Sequence, residues 1–206
     1  MPDLPRLAAC LTLAAAAALP PAVHAQDSGS LLVRLRATHL DSVNRDSTGL
    51  GLSVNNKTYG TIDGSWFMSP NIAAELSVSS AHKHTLYANG AAIGTLDQLP
   101  VSMMLQYHLT GLQGWRPYVG LGIHYTRFSS VGFEPAVVTA LNPDIERSST
   151  GMAVQLGVDM PLGGGWQLNL DAKKVQMRTD VSSSGNTVGT LKVDPVLLSA
   201  GLGYRF

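Results

Sequence analysis

Eight charged side chains and a pair of histidines are the groups through which this chain could do chemistry. Arg34, Arg36, Lys173 and Arg205 stand against Asp63, Glu75, Asp159 and Asp171, all within runs of alternating apolar and polar residues. Four cations and four carboxylates on one face can close into mutual ion pairs, whereas an ion path needs a surplus of one sign. The set is balanced, which favours a closed plug. His82-Lys83-His84 puts two imidazoles on the same face of an extended segment, the spacing of a metal pair. A metal centre normally needs two further ligands and none lies nearby, so a solvated loop is the preferred reading and neither metal nor cofactor is expected. His82, His84 and His124 have no nucleophile in a setting such as a G-x-S-x-G turn, so a rim-located, lipid-modifying enzyme is the minor alternative.

The elements that must position these groups are short segments of period-2 alternation, the pattern of half-buried strands. On one face lie Val33, Leu35 and Ala37, with Arg34, Arg36 and Thr38 on the other. The same alternation sets Ile62 and Trp66 against Thr61, Asp63 and Ser65, and Leu76 and Val78 against Glu75 and Ser77. It recurs over residues 101–109, 118–126, 151–159, 166–173 and 196–206, which makes eight segments. Eight is a number at which antiparallel strands close into a barrel. Phase breaks are expected after Ala172, where Lys174 and Gln176 would face outward, and before Pro195, where the alternation inverts. Either the strand has left the hydrocarbon there or a bulge resets it.

The connections alternate in length. Ser69-Pro70-Asn71, Thr110 to Gly114 and Gly163 to Gly165 are tight turns, while residues 41–60, 81–99, 127–149 and 179–190 are long loops. That alternation predicts an all-β, eight-stranded antiparallel transmembrane β-barrel with short periplasmic turns and long extracellular loops. Trp66, Tyr107, Trp115, Trp166, Tyr204 and Phe206 all fall at the short-turn rim, as an interfacial aromatic girdle requires, and Tyr59, Tyr125 and Phe128 are candidates for a sparser outer one. Loop residues 134–142 can form a short helix bounded by Pro135 and Asn142-Pro143. Apolar residues on and near the loops either pack on one another or line a mouth for apolar solutes. Leu86, Met104, Phe128 and Phe133 are the ligand or passage candidates.

The N-terminus places this barrel. Arg6 ends a short leader, Leu7 to Leu19 is apolar and Ala-rich, and Val23-His24-Ala25 has the small-residue cleavage pattern, so residues 1–25 are expected to be a signal peptide and 26–206 the barrel domain. Cys10, the sole cysteine, opens the apolar stretch rather than closing it, which argues against a lipid anchor. With 14 basic and 14 acidic residues the chain has no net charge, and a nucleic-acid partner is not expected.

The residues also resemble a known family, the OmpW family of small outer-membrane barrels. The resemblance is carried by Val33-Arg34-Leu35-Arg36-Ala37, by Ser65-Trp66-Phe67-Met68-Ser69-Pro70-Asn71, by Lys83-His84, and by Gln106-Tyr107-His108. Its most specific block is Arg116-Pro117-Tyr118-Val119-Gly120-Leu121-Gly122-Ile123-His124-Tyr125-Thr126, and Gly201-Leu202-Gly203-Tyr204-Arg205-Phe206 closes it. The first loop, residues 41–58, departs from the family in being polar without its usual proline. The resemblance implies an integral protein of a Gram-negative outer membrane, in contact with lipid and lipopolysaccharide. It implies a narrow apolar passage for small hydrophobic ligands, with sideways release into the bilayer as one exit. It further implies that Tyr204 and Phe206 belong to a C-terminal signal read by the outer-membrane assembly machinery. A closed receptor barrel, whose loops bind external partners, stays open as the alternative.

Overall fold

The computed structural model describes residues 29–112 and 114–206. The expected signal peptide and Cys10 lie outside them. Eight strands form the wall: β1 (Leu31–Asp41), β2 (Lys57–Phe67), β3 (Ile72–Ser79), β4 (Ala91–His108), β5 (Arg116–Phe133), β6 (Ser148–Gly163), β7 (Trp166–Val175) and β8 (Val196–Arg205). Each pairs antiparallel with the next, and β8 returns to β1 from Leu32↔Arg205 to Asp41↔Val196, so the sheet closes without an edge. Closure is what allows a sheet to cross a membrane, since every backbone group finds a partner within the wall.

Burial on the wall is inverted relative to a soluble barrel. Arg34 is fully buried, whereas its neighbour Leu35 is 68% exposed. The same holds for Leu76, Leu105, Val119, Leu121, Val154, Leu156 and Leu170, which form a continuous apolar belt around the outside. In water such a belt would be an aggregation surface; in hydrocarbon it is the solvated face. At the short-turn end Trp66, Tyr107, Trp115, Trp166 and Phe206 face outward, and Tyr204 lies edge-on to both Trp166 and Phe206. At the tightest turn Gly163, Gly164 and Gly165 all take positive φ (97°, 59° and 86°), a run that side-chain-bearing residues would adopt only with strain.

Three sequence expectations need correction. Tyr59 and Phe128 are not in an outer girdle: they share strand parity with Asp63 and His124 and point inward, leaving Tyr125 exposed. The long connections are not mainly loops, since β4, β5 and β6 run on beyond the apolar belt. Residues Leu52–Val54 and His82–Ala88 extend the wall sheet. Residues Arg45–Asp46, Asn186–Lys192, Arg178–Ser183 and Pro143–Ile145 form a separate four-stranded sheet. Finally, the alternation does not invert before Pro195. Val193, Pro195 and Leu197 are all buried, and Val175 and Met177 continue the inward row of Asp171 and Lys173. The register of β7 on β8 is unbroken, so the first alternative holds and the strand has left the hydrocarbon. What changes there is the polarity of the interior. The short helix is present as α1 (Pro135–Leu141), with proline in its first turn and Asn142 in the left-handed conformation at its C-cap.

Candidate functional site: a charged plug beneath an apolar mouth

Inward residues of β1 read the interior from the periplasmic rim upward: Leu32, Arg34, Arg36, Thr38, Leu40. Leu32, Phe67 and Ala73 close the bottom. Above them Arg34 donates from Nε and Nη2 to the two carboxylate oxygens of Asp159 (3.0 and 2.7 Å), and from Nη1 to Asp63 (3.0 Å) and Ser65 Oγ (2.7 Å). The two-pronged contact with Asp159 uses the planar fork that only arginine offers. Arg36 Nη2 lies 2.8 Å from Asp63 Oδ2, near enough for an ion pair though not aligned as a hydrogen bond. Lys173 Nζ donates to Glu75 Oε1 at 3.1 Å. Three cations and four carboxylates therefore occupy one buried cluster on β1, β2, β3, β6 and β7.

Polar neighbours that sequence reasoning did not single out complete the network. Gln155 Nε2 donates to Asp171 (2.7 Å) and to Glu75 (3.2 Å), Gln106 Nε2 to Glu75 (2.8 Å), and Asn169 Nδ2 to Asp159 (2.8 Å). The Tyr118 hydroxyl reaches Asp171 Oδ2 at 2.8 Å. Its ring passes so close to Gly157 that a Cβ there would sit 2.3 Å from the ring, which is why this inward position carries no side chain. The inward parity of Tyr118, Gln106, Gln155 and Asn169 was legible; their reach across the barrel was not.

Arg205 does not join this cluster. It stands at the periplasmic mouth, its guanidinium 3.9 Å from the centre of the Phe67 ring and donating to Ser30 Oγ at 2.8 Å. The strand position that made it inward also put it below the carboxylates.

Above the plug the interior turns apolar. Leu40, Tyr59, Met104, Ala153, Val175 and Leu197 form one layer. Over it lies a larger cluster of Leu86, Leu96, Phe128, Ile145, Met177, Val181, Leu191 and Val193, with Phe133 packed against it. These upper residues surround a cavity of about 60 Å³. Of the passage candidates, Leu86, Phe128 and Phe133 line that cavity, while Met104 belongs to the layer beneath.

The histidines are distributed among these layers. Ser102 Oγ lies 2.8 Å from His124 Nδ1, an adjacency that sequence reasoning missed because the two residues sit on different strands. The other ring nitrogen meets Thr126 Oγ1 at 2.9 Å rather than a carboxylate, and the adjoining cavity is about 20 Å³, room for about one water. His82 and His84 are buried on the extracellular extension of the wall, His82 stacked on Tyr59 at 3.9 Å between ring centres, so the solvated-loop reading of the pair is also corrected. The strand His82–Ala88 turns both rings inward.

A closed eight-stranded barrel with an apolar belt, one aromatic rim and a charged interior is an integral outer-membrane protein. The OmpW family profile matches residues 27–206, and the chain belongs to the OmpW family. It is 32% identical to the uncharacterized outer-membrane protein y4mB of Sinorhizobium fredii over 96% of this chain and 91% of that one. It is 28% identical to the dibenzothiophene metabolism operon protein PahQ of Pseudomonas aeruginosa, over 57% of this chain and 54% of that one. The crystal structure of the outer membrane protein OprG from Pseudomonas aeruginosa superposes with a TM-score of 0.79 at 22% identity, covering 88% of this chain and 98% of that one, and shows the shared fold. The protein resides in the Gram-negative outer membrane, in contact with its lipid.

Proposed function

We propose that the barrel admits small, mainly apolar molecules at its extracellular mouth and passes them on without opening its lumen. The observation that carries this reading is the reversal of the inner face, from ion-paired residues at membrane level to an apolar cluster above. A filled plug denies ions a continuous path, and an apolar mouth lowers the cost of stripping a hydrophobic solute from water. The relative named for dibenzothiophene metabolism supports the same class of cargo, a small apolar aromatic compound. A cavity of about 60 Å³ is smaller than the roughly 150 Å³ that takes up benzene, so Leu86, Phe128 and Phe133 must part as a solute enters.

The test is entry of naphthalene into cells that carry a full lipopolysaccharide layer, with and without the barrel. Leu86→Asp and Phe128→Asp should each cut entry sharply, since a hydrated carboxylate would stand where the solute sheds water. The double substitution Lys173→Met with Glu75→Gln, which removes one charge of each sign, should leave entry near normal. Equal loss from both sets would indicate a pore through the lumen, and no loss from either a closed receptor barrel.

A further inference from the structure

His84 is 1% exposed and lies on the wall of the apolar cavity. Its Nδ1 is 3.0 Å from the carbonyl oxygen of Asn55. A carbonyl can only accept, so Nδ1 carries the hydrogen and Nε2 of the neutral ring presents a lone pair. Among the described residues no donor reaches that Nε2. The neighbouring His82 repeats the arrangement, with Nδ1 at 3.0 Å from Ser80 O and Nε2 without a partner. Two other polar groups on the cavity wall point elsewhere: Thr179 Oγ1 donates to Glu146 O, and Gln98 Nε2 points at the Met177 sulfur at 3.8 Å. A buried acceptor left unpaired costs free energy, and a ligand donor that meets it recovers that cost. Burial holds the His84 imidazole down at about 4, so it stays a neutral acceptor at the pH of growth.

We infer that the mouth selects apolar molecules bearing one hydrogen-bond donor, such as phenols and alcohols, over plain hydrocarbons, and that His84 Nε2 is the specificity-determining acceptor. A metal is the weaker occupant, because no cluster of three or more histidine, cysteine or acidic ligands occurs among the described residues. The inference rests on the mouth being a binding site for apolar solutes, and it adds the polar group those solutes carry.

Equilibrium binding of 4-ethylphenol and ethylbenzene to the refolded full-length barrel in lipid nanodiscs tests it. His84→Leu should weaken 4-ethylphenol roughly 2- to 10-fold relative to ethylbenzene, the range of one net hydrogen bond, and His84→Gln should restore part of the preference. Heat-modifiable migration on gels confirms that each variant is folded. Independently of any variant, the ¹⁵N resonance of wild-type His84 Nε2 should move upfield on adding 4-ethylphenol and stay in place with ethylbenzene. An unchanged affinity ratio in His84→Leu, or an unmoved Nε2 resonance at saturation, overturns the inference even if naphthalene entry depends on the mouth. Selective phenol binding without any solute entry into cells would instead overturn passage and leave the acceptor role standing. Binding of neither probe overturns both.

Discussion

Replacing Arg34 by methionine is the sharpest test of the plug. Arg34 is fully buried and makes four hydrogen bonds of 2.7–3.0 Å, two of them to Asp159, one to Asp63 and one to Ser65. Glu75 Oε2 lies a further 3.6 Å from Nη1. Without it, two cations face four carboxylates in a buried space with little room for water. Breaking a buried pair by removing one partner costs about 3–5 kcal/mol, because the desolvated charges left behind have nothing to meet. The exposed pair Arg147–Asp144, with side chains 59% and 66% accessible, is the internal control and should contribute about 0–1 kcal/mol. Urea unfolding of the refolded barrel in vesicles, followed by tryptophan fluorescence, separates the two. Arg34→Met combined with Asp159→Leu should recover part of the loss, since an apolar pair of similar volume often replaces a buried ion pair without penalty. A loss from Arg34→Met no larger than that from Arg147→Ala would refute the argument, and so would a double variant as unstable as the sum of its single changes.

The other expected outcomes are more direct. His84 has its folded pKa depressed to about 4 by burial, below the unfolded value near 6.5, so the folded state binds fewer protons between those limits. Its contribution is present above pH 6.5 and lost as pH falls toward 4, on the order of 2 kcal/mol between pH 7 and pH 5; His84→Asn should flatten that part of the urea-midpoint profile, and an unchanged slope would count against it. Cysteine at position 188, on the extracellular sheet, should react with an impermeant maleimide on intact cells, while cysteine at position 70, in a short turn, should not; the reverse pattern would invert the topology. Removal of Phe206 should lower the amount of folded barrel in the outer membrane without lowering export, as expected if Tyr204 and Phe206 are read by the assembly machinery, and normal assembly would reduce them to a strand end.

Much of the wall was legible because its physics is local. Alternation with period 2 assigned Leu35 to one face and Arg34 and Arg36 to the other, and closure into a barrel then decided which face was inside. Short turns and aromatic placement fixed the orientation, again from residues close together in the chain. The upper region was misread for a physical reason. Above the bilayer, outward positions face water and inward ones face each other, so apolar residues such as Val175, Met177 and Val193 move to the face that lower down carries Asp171 and Lys173. A reader who equates apolar with outward sees an inverted register where the strand has only left the hydrocarbon.

The amino-acid sequence by itself determined the membrane-level strands, the two faces of each and the stock of charges, because each follows from spacing along one strand. Only the tertiary structure decided that Arg205 stands apart at the periplasmic mouth, that Tyr118 crosses to Asp171, and that Ser102 meets His124. It also decided that His84 lies on the wall of an apolar cavity, with no donor among the described residues in reach of its Nε2. Those facts depend on strand stagger and on heights across the barrel, which join residues far apart in the chain, as Arg34 and Asp159 are at 125 positions, and which alternation within one strand cannot encode.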